Sequence, residues 1–357
     1  MSKNKNRRRE TILPAAIVVD KIPLVSVIIP MYNAARFIRR TMESLLYQTM
    51  RDFEVVVVDD CSTDNSVEIV ESFAERFDGR LHLVKLPKNN GMPCLPRNVG
   101  IQFARGKYIT FMDNDDFYAK TALEELTTLA EKYQAEVVHT DTFFLLEGEN
   151  INICKRQRLP VVSNPVFETR DFAQRIRQWI NRGYNWEPYT MFCRRDFIVS
   201  KQINFPKLKA YEDMIFSFAI LCFAEKFLRV PNLTYIYQKR SDSLSCEDFT
   251  ETSERFCKYI KVLNDGFNFL AKIMASIPFF EKNPEYRYAV LNFYFNDVLE
   301  SIRPLYLKNN PFMFVDLMKR ELQSYNEDFV AHLFNAFNIQ RLQIMRLQQE
   351  LAKFHQK

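Results

Sequence analysis

The sequence predicts an α/β fold, a Rossmann-like and mostly parallel sheet flanked by helices, followed by a helical C-terminal domain. Three observations carry this prediction. Short β-rich runs alternate with amphipathic helical stretches from residue 22 to about 145. Clusters of acids and amides fall where those runs end. Beyond Ser245 the pattern turns helical and rich in Phe and Tyr.

Residues 1–21 form a basic tail carrying Lys3, Lys5, Arg7, Arg8 and Arg9. Residues 25–29 (VSVII) read as the first strand and 34–48 as the helix after it. Residues 53–58 (FEVVVV) form the second strand, and a helix over 64–77 has Asp64 as its cap. A third strand over 81–85 leads to a helix over 96–105, with Pro96 in its first turn and Gly106 in the turn that ends it. Residues 108–112 (YITFM), a helix over 120–133 and a strand over 136–140 complete the alternation. From 150 to 240, prolines at 160, 165, 188, 206 and 231 predict loops, one or two strands and a helix over 212–224. Helical patterns follow at 256–260, 267–274 and 286–302, with aromatics that suit a core. A last helix over 331–354 places Leu333, Phe337, Ile344, Leu347, Leu351 and Phe354 near one face, for packing on its own domain, for a homodimer or for a membrane surface. The expected division is a tail over 1–21, a domain over 22–245 with halves 22–145 and 146–245, and a helical domain over 246–357.

The 357 residues are 47 % hydrophobic and 26 % charged, which excludes a mainly disordered chain, a collagen and a coiled-coil rod. Only 7 glycines occur, no two closer than six positions, so neither G-x-G-x-x-G nor a Walker A loop is present. Dehydrogenases and P-loop ATPases of the usual kind are thereby excluded. The 7 cysteines form no C-x-x-C pair and the 4 histidines stand singly, so no zinc cage is expected. An odd, irregular cysteine set suits buried thiols in a reducing compartment, hence a cytosolic protein. No apolar stretch is long enough to span a bilayer, and the run over 11–19 is broken by Pro14, unlike a signal peptide. Net charge is +5, but residues 151–210 carry twelve Lys or Arg against four acids. That excess suits a phosphate-bearing acceptor or an anionic membrane surface, and solvated charge balanced by neighbours explains it equally well. No nucleic-acid motif accompanies it.

In an open α/β sheet, ligands bind beyond the carboxyl ends of the strands. The first strand ends in Pro30-Met31-Tyr32-Asn33, the second in Asp59-Asp60-Cys61-Ser62-Thr63-Asp64 and the fourth in Asp113-Asn114-Asp115-Asp116. Crowded carboxylates need a cation or a set of donors, which Mg²⁺ or Mn²⁺ holding a nucleoside diphosphate supplies. A remaining carboxylate accepts base N–H or ribose O–H, and Tyr32 offers a ring for stacking. Asp64 and Asp116 taken singly read as helix caps.

VSVIIPMYN, FEVVVVDDCSTDNS, NNGMPCLPRNVGIQFARGKYITFMDNDD and the later YED resemble the family 2 glycosyltransferases, inverting enzymes with the GT-A fold. The resemblance covers 22–145 and resumes over 185–245. It implies that Tyr32 stacks on the nucleobase and that Asp60 accepts the imide N–H of uracil. It further implies that Asp113 contacts ribose or the metal shell, that Asp115 coordinates Mn²⁺ or Mg²⁺, and that Asp213, rather than Glu212, is the catalytic base. Pro30, Asn33, Arg97 and Asn114 lie in the same donor motifs, where Asn33, Asp59 and Arg97 chiefly hold the loops. The implied partners are a UDP-sugar donor and a saccharide or lipid-linked acceptor of surface-glycan assembly. The segment Gly91-Met92-Pro93-Cys94-Leu95-Pro96 departs from the family pattern and is expected to be a stiffened loop. No Q-x-x-R-W run follows the YED, which favours transfer of a single sugar over polymer synthesis. A sugar nucleotidyltransferase lacks support because no glycine-rich phosphate loop follows the first strand. A non-catalytic interaction protein is disfavoured by the intact Asp60, Asp113, Asp115 and Asp213. A retaining glycosidase would use a pair of carboxylates but leaves the nucleotide-type motifs without a role.

Overall fold

A computed structural model of the protein describes residues 22–154, 158–240, 253–301, 325–336, 339 and 342. The first half runs β1 (Val25–Met31), α1 (Ile38–Leu46), β2 (Phe53–Asp59), α2 (Ser66–Glu71), α3 (Ala74–Phe77), β3 (Leu81–Lys85), α4 (Cys94–Phe103), β4 (Tyr108–Phe111), β5 (Phe117–Tyr118), α5 (Ala122–Tyr133) and β6 (Val137–Thr140). Each strand expected here is present, and the expected helix over 64–77 is split into α2 and α3. β1 and β2 are buried along their whole length, as their unbroken apolar runs require of central parallel strands.

The second half is richer in strands than the prolines suggested. β7 (Phe143–Glu147), β8 (Asn150–Cys154), β9 (Val166–Phe167), α6 (Phe172–Ile180), β10 (Met191–Arg194), α7 (Arg195–Ser200), α8 (Glu212–Phe223), β11 (Phe227–Val230) and β12 (Tyr235–Gln238) precede α9 (Ser253–Ala275), α10 (Pro278–Lys282) and α11 (Pro284–Ser301). The large sheet has the order β3-β2-β1-β4-β10-β6-β11-β9, and a smaller one has β5-β12-β7-β8. β1 pairs in parallel with β2 and β4, whereas β10 runs antiparallel between β4 and β6. Met31 lies opposite Asp59 in the β1–β2 register, so Tyr32 and Asp60 leave the sheet at one rim.

Two buried clusters cover the sheet. One packs Ile38, Met42, Val70, Phe77 and Leu123 against it. The other joins Ile101, Trp179, Phe216 and Phe218 to Leu263, Phe280 and Phe295 of the later helices, without a break. Trp179 links the two halves of this cluster, its ring centroid 4.7 Å from Phe218 and 4.9 Å from Phe293. Two glycines are fixed by close approach. A Cβ at Gly100 would overlap Ile28 Cγ2 where α4 crosses β1. At Gly106 it would lie 2.6 Å from the Ser26 backbone N, and Gly106 has no positive φ, so backbone contact with β1 rather than turn geometry explains the residue.

The prolines of the 91–96 segment do not stiffen a loop in the way expected. Pro93 is the residue before α4 and Pro96 lies in its first turn. Part of the basic excess over 151–210 is also internal. Buried Arg175 donates to the carbonyls of Leu221 and Ala224 at the end of α8 and to that of Thr169. Arg182 pairs with Asp297, and Arg194 with Glu136. The basic tail over 1–21 and most of the expected final helix lie outside the described residues; of 331–354, residues 331–336 are helical, continuing a helix from 327, and Leu333 is buried. Among the described residues no helix is long and apolar enough to cross a membrane.

Candidate active site

The rim of β1 and β2 is built from short polar contacts. Tyr32 leaves β1 as a residue 45 % exposed. Asn33, at φ 47°, donates its backbone N–H to Ser62 Oγ at 2.9 Å and accepts the Thr63 N–H at 2.8 Å. Asp59 accepts the Ser62 N–H at 3.2 Å. Both residues therefore hold the loop after β2. Asp64 accepts the N–H groups of Ala35 and Ser66, each at 3.0 Å. Its bond to Ser66, the first residue of α2, satisfies a free N–H at that helix start, and its bond to Ala35 ties the same point to the loop after β1. Asp60 is nearly buried and accepts two bonds from Asn90, one from its backbone N–H at 2.9 Å and one from its side-chain amide at 2.8 Å. A carboxylate has about four acceptor positions, so two bonds leave room for a further donor.

The turn after β4 is tied to both neighbours. The Asn114 amide donates to the Pro30 carbonyl at 3.0 Å, and Thr41 donates to the Asn114 carbonyl at 3.0 Å. The Asp113 N–H donates to Tyr235 Oη at 3.1 Å, and Tyr235 in turn donates to Asp116 at 2.7 Å. Asp116 also accepts the Gln238 N–H at 2.7 Å and is fully buried. It caps no helix, contrary to the sequence expectation, because β5 intervenes before α5 and β12 claims its carboxylate. Burial, with Asp115 and Asp113 nearby, pushes the Asp116 carboxyl well above the usual range.

Two guanidinium groups meet the remaining acids. Arg97, on α4 and almost buried, donates to Asp113 at 2.9 Å and to Glu212 at 3.1 Å. Its guanidinium carbon lies 5.3 Å from the Phe205 ring centroid. Asp115 pairs with Arg240, Nε to Oδ2 at 2.7 Å. Burial first, and the Asp113 charge second, push the Asp115 carboxyl up to about 6 despite that pair.

Beyond Arg97 lies the start of α8. Tyr211 precedes it at φ 66°, an uncommon conformation for a bulky side chain, and its ring meets Tyr294 of α11 edge-on at 6.2 Å. Glu212 is committed to Arg97, whereas Asp213 accepts the next N–H, that of Met214, at 2.8 Å. Burial, then Glu212 and Glu187, push the Asp213 carboxyl up to about 7, and the Met214 N–H and Arg97 oppose that rise. Glu187 is itself buried, at the head of the Pro188–Thr190 turn before β10.

Arg97 thus connects Asp113 of the strand-end motifs to the Tyr211-Glu212-Asp213 motif, 115 positions from Arg97 to Glu212. Tyr32, Asp60 and the Asp113–Asp116 turn stand along the same edge of the sheet. Sequence reasoning missed Asn90, Glu187, Tyr235 and Arg240. Arg240 sits in the second stretch of family resemblance, but no spacing rule points from it to Asp115. Among the described residues no group of three or more His, Cys, Asp or Glu side chains is placed to hold a metal by itself. The donor set is nonetheless suited to Mg²⁺ or Mn²⁺ brought with a diphosphate, since such ions use one or two carboxylates and take the rest of their shell from phosphate and water. Asp115 is paired here with the Arg240 guanidinium.

Comparison with known proteins bears on the family and the fold. The sequence profile of the family described as glycosyl transferase family 2 matches residues 26–198. An uncharacterized glycosyltransferase of Haemophilus influenzae is 32 % identical over 196 residues, covering 55 % of this chain and 70 % of that protein. The uncharacterized glycosyltransferase EpsJ of Bacillus subtilis is 31 % identical over 225 residues, 63 % of each chain, so the chain spans less than two thirds of EpsJ. Among solved structures, residues 1–349 of Staphylococcus aureus TarS in complex with UDP-GlcNAc superpose with a TM-score of 0.55 at 23 % identity, covering 78 % of this chain and 81 % of that one. The two share the GT-A fold.

Proposed function

Because the chain belongs to glycosyl transferase family 2, we propose that it moves a single sugar, with inversion, from a UDP-sugar to a hydroxyl of a saccharide or lipid-linked saccharide acceptor in surface-glycan assembly. The observation that supports this reading is the Asp113–Arg97–Glu212 bridge, which ties the turn after β4 to the start of α8, where the Asp213 carboxyl is raised to about 7.

In this reading the exposed Tyr32 ring stacks on the nucleobase. Asp60, held rigid by Asn90, accepts the imide N–H of uracil with its remaining acceptor positions. Pro30, Asn33 and Asn114 keep the two rims in register, and Asp113 reaches the ribose or the metal shell. Asp115, with Asp113, would hold Mg²⁺ or Mn²⁺, which supplies Lewis-acid neutralisation of the departing diphosphate. Asp213 takes the proton of the acceptor hydroxyl from the face opposite the leaving group, and attack from that face inverts the anomeric centre. A base near pKa 7 combines a useful ionised fraction at neutral pH with adequate basicity. Glu212 does not compete for this role because Arg97 occupies it.

TarS binds UDP-GlcNAc, which makes that nucleotide sugar the first donor to try. The experiment is UDP release from a panel of UDP-sugars with Mn²⁺, comparing the wild type with Asp115→Ala. One sugar should give a metal-dependent signal that the variant loses. If GDP- or TDP-sugars are cleaved and UDP-sugars are not, the uracil assignment of Tyr32 and Asp60 is wrong.

A further inference from the structure

His139, near the end of β6, is fully buried and takes no part in the chemistry above. Its Nε2 lies 3.0 Å from the Asn185 carbonyl and its Nδ1 3.4 Å from Asp141 Oδ1. Asp141 is ionised: burial alone would raise its carboxyl, but hydrogen bonds from His139 and from Arg229 of β11 bring it down to about 2. Arg229 donates to it at 3.0 and 2.5 Å. A carbonyl and a carboxylate only accept, and a ring nitrogen satisfies an acceptor only as N–H, so the ring in this position carries both protons. Beyond Arg229 stand Glu168, 3.9 Å from its Nη1, and Arg175 of α6. Phe227, at 5.5 Å, and Tyr184, edge-on at 6.2 Å, enclose the imidazole.

The acceptor on the Nε2 side belongs to the segment that borders the site. Asn185 is tied to the end of β6 by its side chain as well, through its amide to the Asp141 carbonyl at 3.1 Å. Two residues on, the Glu187 carbonyl accepts the Thr190 N–H at 3.0 Å and Thr190 Oγ1 at 2.7 Å, closing the Pro188–Thr190 turn, which packs against α8 and β4. Tyr189 of this turn stacks on Tyr235, centroids 4.1 Å apart and planes 3° from parallel, and Tyr235 holds Asp113 and Asp116. The charges that act on Asp213 are Glu212 of its own helix, Glu187 of this segment and Arg97 of α4.

We infer that His139 is a positioning residue for the base: its bridge from Asp141 to Asn185 fixes the Asn185–Thr190 segment, and with it the place of the Glu187 carboxylate relative to Asp213. The inference rests on the reading of Asp213 as the base. Hydrogen bonds from a charged donor are stronger than those between neutral groups, and Asp141 supplies the counter-charge that makes a buried imidazolium tolerable. His139 touches neither the donor nor the reacting atoms; it acts through the segment that carries Glu187.

The first measurement is nitrogen NMR of the histidine rings in the full wild-type chain, which has 4 histidines, with His139 assigned by the signals that persist in His82→Gln, His332→Gln and His355→Gln. Both ring nitrogens of His139 should be protonated at pH 7.5, and one bare nitrogen overturns the inference. The second is the pH profile of acceptor-dependent transfer, whose wild-type midpoint should lie at about 7. Glu187→Gln keeps the shape and removes the charge, and should lower that midpoint by about half a pH unit or more. His139→Gln should lower it by less and cut the plateau rate about tenfold through misplacement of the segment. A His139→Gln protein that melts lower yet keeps the wild-type midpoint and plateau has lost only a structural contact, and the inference fails; it fails equally if Glu187→Gln leaves the midpoint in place. If Asp213→Asn transfers sugar as the wild type does, the base assignment itself is wrong and the inference falls with it.

Discussion

Replacement of Arg97 by Met tests the bridge on which the site depends. Arg97 is 6 % exposed and holds Asp113 at 2.9 Å and Glu212 at 3.1 Å. The substitution keeps most of the apolar stem and removes the charge, leaving Asp113, Glu212 and Asp213 without their shared cation. Breaking a buried ion pair by removing one partner costs about 3–5 kcal/mol. For a chain of this size that corresponds to a fall in melting temperature of about 4–7 °C. The sign of its pH dependence separates electrostatics from packing. Carboxylates deprived of the cation cost the fold more once ionised, so the deficit should be larger at pH 8 than at pH 5. Arg97→Met combined with Glu212→Gln should recover part of the loss. The assay is thermal unfolding at both pH values for the wild type, the single variant and the double variant. A loss below about 1 kcal/mol, or one equal at pH 5 and pH 8, would refute the reasoning.

Gly100→Ala should destabilise by about 1–3 kcal/mol although alanine favours helices, because its Cβ would overlap Ile28 Cγ2; Ile28→Ala in the same chain should relieve the clash, as unfolding curves would report. Tyr235→Phe removes the hydroxyl between the Asp113 N–H and Asp116, and should cost about 1–3 kcal/mol in melting experiments and weaken UDP binding by calorimetry. The transfer rate at saturating donor and acceptor should rise with pH up to about 7 and then level, since Asp213 must be ionised to take a proton; a rate flat from pH 5.5 to 8.5 would contradict that role. The same shift has a stability consequence. The Asp213 carboxyl is raised in the fold, so its stabilising neutral form is lost as pH climbs from its ordinary value of 3.8 through about 7. Asp213→Asn should therefore melt higher than the wild type at pH 8 and level with it near pH 4.

What the sequence disclosed depends on how local each signal is. β1 and β2 were legible because VSVIIPM and FEVVVVD are continuous buried runs. β10 was not, because Met191–Arg194 is four residues long, lies among prolines, and becomes a strand through pairing with both β4 and β6. The acids of the site were legible because they follow strand ends, where an α/β sheet places its ligands. Their partners were not. Arg97 meets Glu212 across 115 positions, and Asp60 meets Asn90 across 30, at distances that no local pattern encodes. Asp116 misled for the same reason: a helix cap is a local signal, and Tyr235, 119 positions away, takes that carboxylate instead. The basic excess over 151–210 was read from composition alone, which has no means of separating buried Arg175 from a solvated surface residue.

The most direct test of the central claim is acceptor-dependent sugar transfer from the UDP-sugar that the donor panel selects, measured for the wild type and Asp213→Asn together with UDP affinity for each. The account predicts that transfer falls by at least about two orders of magnitude in the variant while UDP affinity stays within about twofold, as expected for loss of a base that does not touch the nucleotide. Transfer retained in Asp213→Asn, or lost only in step with UDP binding, would contradict it.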